Sequence, residues 1–281
     1  MKAYSIGLYE KSMPSDLTWE EKLIAAKEAG YDFVEISIDE TDNKLGRLDM
    51  GKEERQELLQ LMDKIGLPIR TMCLSGHRKF PLGSMDVTIC SRGMEIMEKA
   101  IALAGDLGIR IIQLAGYDVY YEESTAETKA RFERNLKKIT DLAAKEGVLL
   151  GFETMETDFM NTVEKSMKYV KLVNSPYLNV YPDMGNITNA AKTYGADVFE
   201  DIKKGAGHII AAHLKETVPG KFREIAYGKG HVDFPGVIKA TWNLGVRKYV
   251  TEFWYTGNPS WKEDLKSANK MMTELLDKEA G

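Results

Sequence analysis

Four side chains with donor atoms that bind metal ions recur at similar intervals in the second half of the chain. They are Glu153 in LLGFETMET, Asp183 in LNVYPDMGN, His213 in AAHLKET and Glu252 in YVTEFWY. The intervals between them are 30, 30 and 39 residues. Three carboxylates and one imidazole form a mostly hard donor set, which suits Mn²⁺, Mg²⁺ or Co²⁺, accommodates Zn²⁺, and does not suit copper or an iron–sulfur cluster. The residue types therefore predict one divalent metal ion, provided that the fold brings the four together.

The segments that must position these side chains repeat one pattern eight times. A short apolar or β-branched run is followed by a longer segment with helical periodicity, which often ends at a glycine. The predicted strands cover residues 4–8, 33–38, 69–74, 110–115, 148–153, 178–183, 208–215 and 248–253. The predicted helices cover residues 18–29, 52–65, 86–107, 124–146, 162–173, 196–204, 235–244 and 261–277.

Strict alternation of strands and helices predicts parallel strands joined by right-handed crossovers. Eight units of about 35 residues each predict an α/β fold, the (β/α)₈ TIM barrel, with residues 1–281 forming a single domain. A doubly wound open sheet is the competing architecture, but the turn after the first strand reads GLYEKSMPS and lacks the GxGxxG spacing. Since the chemistry of such barrels sits at the carboxyl ends of the strands, the four donors are expected to share one mouth.

The chain has four histidines, and their positions separate the metal candidate from the others. His213 lies near the catalytic end of the seventh predicted strand, whereas His208 begins that strand at the opposite end of the barrel. His77 lies in the loop LSGHRKFPLGS after the third predicted strand, where a substrate contact and a plain loop residue are both open. His231, in GKGHVDFPG, is predicted to be a loop residue. One ligand histidine with three acids favours a single hard metal ion over a multinuclear centre.

Composition argues against several classes of function. The 281 residues contain 38 Lys and Arg against 43 Asp and Glu, and this net charge of −5 argues against nucleic acid as a partner. Cys73 and Cys90 do not build a disulfide framework and indicate reduced thiols in a cytoplasmic protein. The N-terminal sequence MKAYSIGLYEKSMPSD lacks the apolar core of a signal peptide, and the chain has no run of about 18 apolar residues that predicts a membrane span.

Five segments of the chain resemble one family of carbohydrate enzymes. They are CLSGHRKFPLGS, GFETMETDFMNT, NVYPDMGN, AAHLKETVPGKFREIAYGKGHVDF and YVTEFWY. In these segments the chain is similar to the L-ribulose-5-phosphate 3-epimerases, also called L-xylulose-5-phosphate 3-epimerases, within the xylose isomerase-like TIM barrels. The resemblance covers nearly the whole chain, and the stretch from HLKETVPGKF to GKGHVDF is a specific signal.

The resemblance implies a metal-dependent reaction at C3 of a ketose phosphate. The residues that match the family's ligands for one divalent metal ion are Glu153, Asp183, His213 and Glu252, and Glu153 and Glu252 also match its acid–base pair. One carboxylate would remove the C3 proton, the metal ion would stabilise the enediolate, and the other carboxylate would return a proton to the opposite face. The expected reaction interconverts L-ribulose 5-phosphate and L-xylulose 5-phosphate.

Two positions depart from related epimerases of free ketoses, which implies a phosphorylated substrate. Asn186 stands where those enzymes have a histidine three residues after the metal aspartate, and Pro219 stands where they have an arginine six residues after the metal histidine. A phosphate requires cationic or polar donors near the mouth. The candidates for substrate binding, each open between a contact and an ordinary loop or solvated residue, are His77, Arg78, Lys215, Glu216, Lys221 and Arg223.

Other functions stay open on the sequence alone. An aldose–ketose isomerase of sugars or sugar phosphates would use the same ligands but move the proton between C1 and C2, and a free-ketose 3-epimerase would act on an unphosphorylated sugar. A metal-dependent, AP endonuclease-like DNA-repair enzyme normally uses several metal ions and a basic surface, which four histidines and a charge of −5 disfavour. A sugar-binding barrel without activity would not need two bases. The resemblance is compatible with a homodimer, and the sequence does not determine the metal.

Overall fold

The computed structural model describes residues 2–281, in which eight parallel strands alternate with helices. The strands are β1 (Ser5–Tyr9), β2 (Phe33–Ile38), β3 (Ile69–Leu74), β4 (Ile111–Ala115), β5 (Leu149–Glu153), β6 (Leu178–Val180), β7 (Ala212–Lys215) and β8 (Lys248–Glu252). The helices are α1 (Trp19–Glu28), α2 (Asp42–Gly46), α3 (Lys52–Ile65), α4 (Val87–Leu107), α5 (Ala126–Lys145), α6 (Val163–Val173), α7 (Met184–Tyr194), α8 (Val198–Lys203), α9 (Phe234–Asn243) and α10 (Trp261–Ala280). None of the helices in this described range has the length and apolarity needed to cross a membrane.

The strands form a barrel in which only the pairing between β6 and β7 is irregular. Neighbours from β1 to β6 pair in chain order, and β8 pairs with both β1 and β7. The gap between β6 and β7 is bridged by two parallel pairs, Val180 with Ile209 and Asp183 with His213. The backbone N–H of His213 donates to the carbonyl of Pro182 at 3.0 Å. The predicted (β/α)₈ barrel is therefore confirmed, and its closure runs through the segments that carry two of the candidate metal ligands.

Clusters of buried apolar side chains stabilise this arrangement. Strand residues such as Ile6 and Leu8 belong to the larger cluster, which also contains the buried faces of the helices. A smaller cluster contains Phe33 and Tyr181. The ring of Phe33 occupies the space beside Gly7, where a Cβ atom would lie 2.3 Å from a ring carbon. Burial of these apolar side chains supplies the main favourable free energy of folding. The polar groups can therefore lie at the strand ends.

The structure departs from the sequence prediction around β6 and β7. The predicted strand 178–183 ends at Val180, because Pro182 has no N–H to continue the ladder. Asp183 instead caps α7, and its side chain accepts a hydrogen bond from the N–H of Asn186 at 2.7 Å. Helix α7 was missed because its glycine, asparagine and threonine residues are weak helix formers. The regular part of β7 begins at Ala212 rather than at 208, since the preceding residues meet β6 only through an isolated bridge.

Helix α4 supports the loop that follows β3. Gly93, in α4, lies so close to this loop that a Cβ atom would be 2.4 Å from the carbonyl oxygen of Phe80. The carbonyl of Gly93 in turn lies 3.1 Å from Nε2 of His77, which is buried in the same loop. Gly105, in the last turns of α4, has no neighbouring atom within 4 Å of such a Cβ. The close approach therefore requires glycine at position 93 but not at position 105.

These two glycines provide a matched pair of substitutions within one helix. Gly93→Ala is expected to lower the free energy of unfolding by about 1–3 kcal/mol, because the methyl group must displace the backbone of Phe80. Gly105→Ala is expected to raise it by up to about 1 kcal/mol, because alanine favours the helix and meets no obstacle. Urea unfolding followed by circular dichroism measures both changes. A stabilising effect of Gly93→Ala would contradict the tight contact between the loop and α4.

Candidate active site

The four predicted donors meet at the carboxyl ends of the strands. Glu153 ends β5, Glu252 ends β8, His213 lies within β7, and Asp183 is the residue that caps α7. All four side chains are buried, and one donor atom from each lies within 4.8 Å of the other three. The structure thus brings together a Glu/Asp/His cluster that could hold a metal ion.

The ring of His213 presents its two nitrogens to different partners. Nδ1 faces the cluster, at 2.7 Å from Oε2 of Glu252, 3.8 Å from Oε1 of Glu153 and 3.9 Å from Oδ2 of Asp183. Nε2 points the other way, and it lies 2.5 Å from Oε1 of Glu35. A histidine that binds a metal through one nitrogen commonly donates the N–H of the other to a carboxylate. The orientation of His213 matches that arrangement.

Glu35 is a site residue that the sequence analysis did not identify. It is the third residue of β2, it is fully buried, and its second oxygen accepts a hydrogen bond from the hydroxyl of Tyr181 at 2.9 Å. Burial, and secondarily the Glu35 carboxylate, raise the pKa of Tyr181 well above its ordinary value, so this hydroxyl stays protonated and donates. The sequence signal was an acid within the mostly apolar strand FVEISI, because an ionisable residue in a buried strand requires a partner.

Two buried carboxylate oxygens in the cluster make no hydrogen bond of regular geometry but lie against nitrogen atoms. Oδ2 of Asp183 is 2.9 Å from Nζ of Lys215, and Oε2 of Glu252 is 2.7 Å from Nδ1 of His213. Burial, partly offset by the charge of Lys215, raises the pKa of Asp183 to about 7. Burial also acts to raise the pKa of Glu252, but the charge of Lys215 and the contact with His213 outweigh it and lower that pKa. Several buried carboxylates in one place are the conditions under which a cation fits the site.

Lys215 lies inside this cluster rather than at its edge. Its Nζ atom is 2.9 Å from Oδ2 of Asp183 and 3.8 Å from Oε2 of Glu252, and the side chain is buried. The neighbouring carboxylates outweigh the effect of burial and raise the pKa of Lys215 well above its ordinary value. The residue therefore carries a positive charge that directly offsets the acids of the cluster.

A cavity opens at the cluster and is lined by both Glu153 and Glu252. Tyr9, Phe222 and Trp254 contribute aromatic walls to this cavity. The rings of Tyr9 and Trp254 meet edge to face at 6.1 Å between centroids. A mostly enclosed space with aromatic walls and a few convergent polar groups is typical of a small-molecule site.

Three of the predicted substrate-binding cations, Arg78, Lys215 and Arg223, line the same cavity as the acids. Arg78 lies over the ring of Tyr120 and donates a hydrogen bond from Nη2 to the hydroxyl of Tyr117 at 3.3 Å. Its buried Nε has no hydrogen-bond partner among the described residues. Arg223 is half exposed, and its Nη2 atom is 3.5 Å from Oε1 of Glu156. Arg78 therefore has unused donor capacity at the cavity, whereas Arg223 is engaged with an acid.

The remaining candidates lie outside the set of cavity-lining residues. His77 is buried against the backbone of α4, as described above. Glu216 is also buried, and it accepts hydrogen bonds from the N–H groups of Thr217, Gly228 and Val232 at 3.1–3.2 Å. It therefore organises the loop between β7 and α9 and is neither a solvated acid nor a residue of the cavity wall. Lys221 is exposed in a turn of the same loop.

The amino-acid sequence matches known proteins over most of its length. A family model described as the xylose isomerase-like TIM barrel matches residues 23–274. The chain is 42% identical over 254 residues to the L-ribulose-5-phosphate 3-epimerase UlaE of Salmonella heidelberg, which covers 90% of this chain and 88% of the relative. It is 45% identical over 261 residues to the putative L-ribulose-5-phosphate 3-epimerase SgbU of Escherichia coli, with 90% of each chain covered.

Solved structures with the same fold are more distant in sequence. An L-ribulose 3-epimerase superposes with a TM-score of 0.78 at 20% identity, covering 99% of this chain and 96% of that one. A D-psicose 3-epimerase from Clostridium cellulolyticum, solved with D-tagatose, superposes with a TM-score of 0.80 at 14% identity, covering 97% and 99%. At these identities the superpositions establish the fold alone. From its own sequence matches, the chain belongs to the xylose isomerase-like TIM barrel family and, within it, to the L-ribulose-5-phosphate 3-epimerases.

Proposed function

We propose that the protein is a metal-dependent 3-epimerase of a ketose phosphate that interconverts L-ribulose 5-phosphate and L-xylulose 5-phosphate. The observation that carries this proposal is the pair Glu153 and Glu252, two buried carboxylates that end different strands and line one cavity. Inversion at a carbon next to a ketone requires a base on one face and an acid on the other. Membership of the L-ribulose-5-phosphate 3-epimerase family supports the same reaction, since both curated relatives carry that name.

One divalent cation is proposed at the four donors, which are Glu153, Asp183, His213 and Glu252. The convergence of one donor atom from each residue within 4.8 Å and the inward-facing Nδ1 of His213 support this assignment. The donor set favours Mn²⁺, Mg²⁺ or Co²⁺ and is compatible with Zn²⁺. When bound, such a cation supplies Lewis acidity that stabilises negative charge on the oxygens of an enediolate.

Glu153 and Glu252 would move the proton between the two faces of C3. Strands β6 and β7 separate β5 from β8 in the barrel, so the two carboxylates approach the cavity from different sides. In one direction a carboxylate takes the C3 proton, and the electron pair of that C–H bond passes into the enediolate. The other carboxyl group then donates a proton to the opposite face of C3. No electrons are gained or lost, and the two acids exchange protonation states in each turnover.

The phosphate group of the substrate is proposed to bind at Arg78. Its buried Nε lacks a partner, the residue lines the cavity, and its guanidinium carbon lies 5.0 Å from the centroid of the Tyr120 ring. Arginine presents several N–H donors in a fixed geometry that suits phosphate oxygens. Lys215 is less suited to this role, because its ammonium group is already paired with Asp183.

Hydrogen exchange with solvent tests the proposed reaction directly. When either epimer is incubated with the metal-loaded enzyme in D₂O, deuterium is expected only at C3 of substrate and product. Incorporation at C1 or C2, or formation of an aldose, would instead identify an aldose–ketose isomerase. Nuclear magnetic resonance of the recovered sugar phosphate distinguishes these outcomes.

Substitution of Glu153 and Glu252 tests whether each carboxyl group transfers a proton at one face of C3. Glu153→Gln and Glu252→Gln are each expected to reduce epimerisation by about 10²- to 10⁴-fold, which is the usual contribution of an acid–base group. Each variant retains one base, so one should still exchange deuterium into L-ribulose 5-phosphate and the other into L-xylulose 5-phosphate. Glu122→Gln, an exposed acid in the loop after β4, serves as the control. Full epimerisation by either site variant would contradict the two-base mechanism.

Removal of the metal ion tests the cofactor. The chelated and dialysed enzyme is expected to lose epimerisation and to regain it when Mn²⁺ or another divalent ion is added. Because the ion binds the folded state, its addition is also expected to raise the melting temperature in a concentration-dependent way. Elemental analysis must verify that the chelated sample is metal-free. Full activity in such a sample would contradict the metal requirement.

Arg78→Met tests the phosphate site. The variant is expected to lose preference for L-ribulose 5-phosphate over free L-ribulose, with the ratio of the two kcat/KM values falling by about tenfold or more, since a charged hydrogen bond contributes about 1.5–3 kcal/mol. Arg134→Met, which removes an exposed arginine from α5, should leave the ratio unchanged. An unchanged ratio in Arg78→Met would indicate that the phosphate binds elsewhere in the cavity.

A further inference from the structure

The imidazole of His213 is held on several sides by groups from other strands. Besides Glu35 on β2, which lies against Nε2, the amide nitrogen of Gln113 on β4 lies 3.1 Å from Nδ1 and 3.2 Å from Nε2. The ring of Tyr181, which follows β6, packs edge to face against the imidazole at 5.0 Å between centroids. Each of these residues is buried. The ring therefore has little freedom to rotate or to exchange the roles of its nitrogens.

Glu35 differs from the three acids that face Nδ1. Both of its oxygens are engaged, one by Nε2 of His213 and the other by the hydroxyl of Tyr181. It lies outside the group of four residues whose donor atoms converge. A carboxylate in this place accepts a hydrogen bond from Nε2–H, and a neutral imidazole with its proton on Nε2 presents a lone pair at Nδ1. That lone pair points at the space shared by Glu153, Asp183 and Glu252.

We infer that Glu35 is a positioning residue that keeps His213 in the Nε2–H form, so that Nδ1 binds the metal ion, and that Tyr181 fixes the orientation of Glu35. This inference rests on the proposed metal site. A carboxylate behind a histidine ligand also makes that ligand a stronger electron donor, and loss of such a group commonly weakens metal binding by about 10- to 100-fold. Glu35 itself touches neither the proposed substrate nor the ion.

Metal titration of the intact protein tests the role of Glu35 separately from catalysis. Competition between each protein and a chelator of known affinity gives the dissociation constant for Mn²⁺ and for Zn²⁺. Glu35→Gln is expected to weaken both by about 10- to 100-fold. Tyr181→Phe, which keeps the carboxylate but frees it, should give a smaller loss. Tyr249→Phe provides the matched control, because it removes a buried hydroxyl that bonds to Val246 and Thr241 away from the cluster.

Two further measurements separate positioning from a general effect on stability. A structural role alone would lower the melting temperature of the metal-free variants without changing the affinity of the folded protein for metal. In the Zn²⁺-loaded protein labelled with ¹⁵N-histidine, the wild type is expected to show His213 bound through Nδ1 with a slowly exchanging Nε2 proton. In Glu35→Gln and Tyr181→Phe that proton should exchange faster.

The outcomes distinguish this inference from the proposed function. Unchanged metal affinity in Glu35→Gln, or coordination through Nε2 in the wild type, would overturn the role of Glu35 even in an active epimerase. Tight metal binding that depends on Glu35, in a protein that does not epimerise ketose phosphates, would overturn the proposed reaction and leave the positioning role intact. A wild-type protein that binds no divalent ion would overturn both.

Discussion

The concentration of buried negative charge at one end of the barrel is the constraint on which the site depends. Glu35, Glu153, Asp183 and Glu252 are buried around a single imidazole. Two like charges 4 Å apart repel by about 4 kcal/mol at an effective dielectric constant of 20. Lys215 offsets part of this charge. Only a fold that fixes every acid in place, and that admits a further cation, can hold such a group of residues together.

The barrel meets this constraint by placing each acid on a separate strand or strand end. Glu35 and Glu153 are fixed by the backbone ladders of β2 and β5. Asp183 cannot rely on a ladder, because β6 ends three residues earlier. Instead its side chain caps α7, and its backbone forms the bridge to His213 that closes the barrel. The irregular junction between β6 and β7 is therefore held by Asp183, which also contributes a carboxylate oxygen to the cluster.

The sequence predicted the bounds of strands and helices best where a local pattern of residues marks them. The bounds of β2, β3 and α3 agree with the prediction because apolar periodicity and the glycine at position 66 mark them locally. The convergence of Glu153, Asp183, His213 and Glu252 could be predicted because regular intervals place them at or just after successive strands. Glu35 was missed because its partner lies 178 residues away in the chain, and no local pattern encodes such a pairing. Glu216 could not be distinguished from a solvated loop acid, because the N–H groups of Thr217, Gly228 and Val232 surround its carboxylate only when the loop is folded.

In the proposed function, residues at the strand ends transfer the proton at C3 and a loop residue binds the phosphate. The groups assigned to C3 chemistry lie on strand ends or in the cap of α7, where hydrogen bonds of the sheet and the helix restrict their movement. Arg78, assigned to the phosphate, lies in the loop after β3, where its contacts are with tyrosines of the loop after β4. Loops tolerate replacement better than strands do. The proposed assignment would let the barrel retain proton transfer at C3 while loop residues select a phosphorylated or a free ketose.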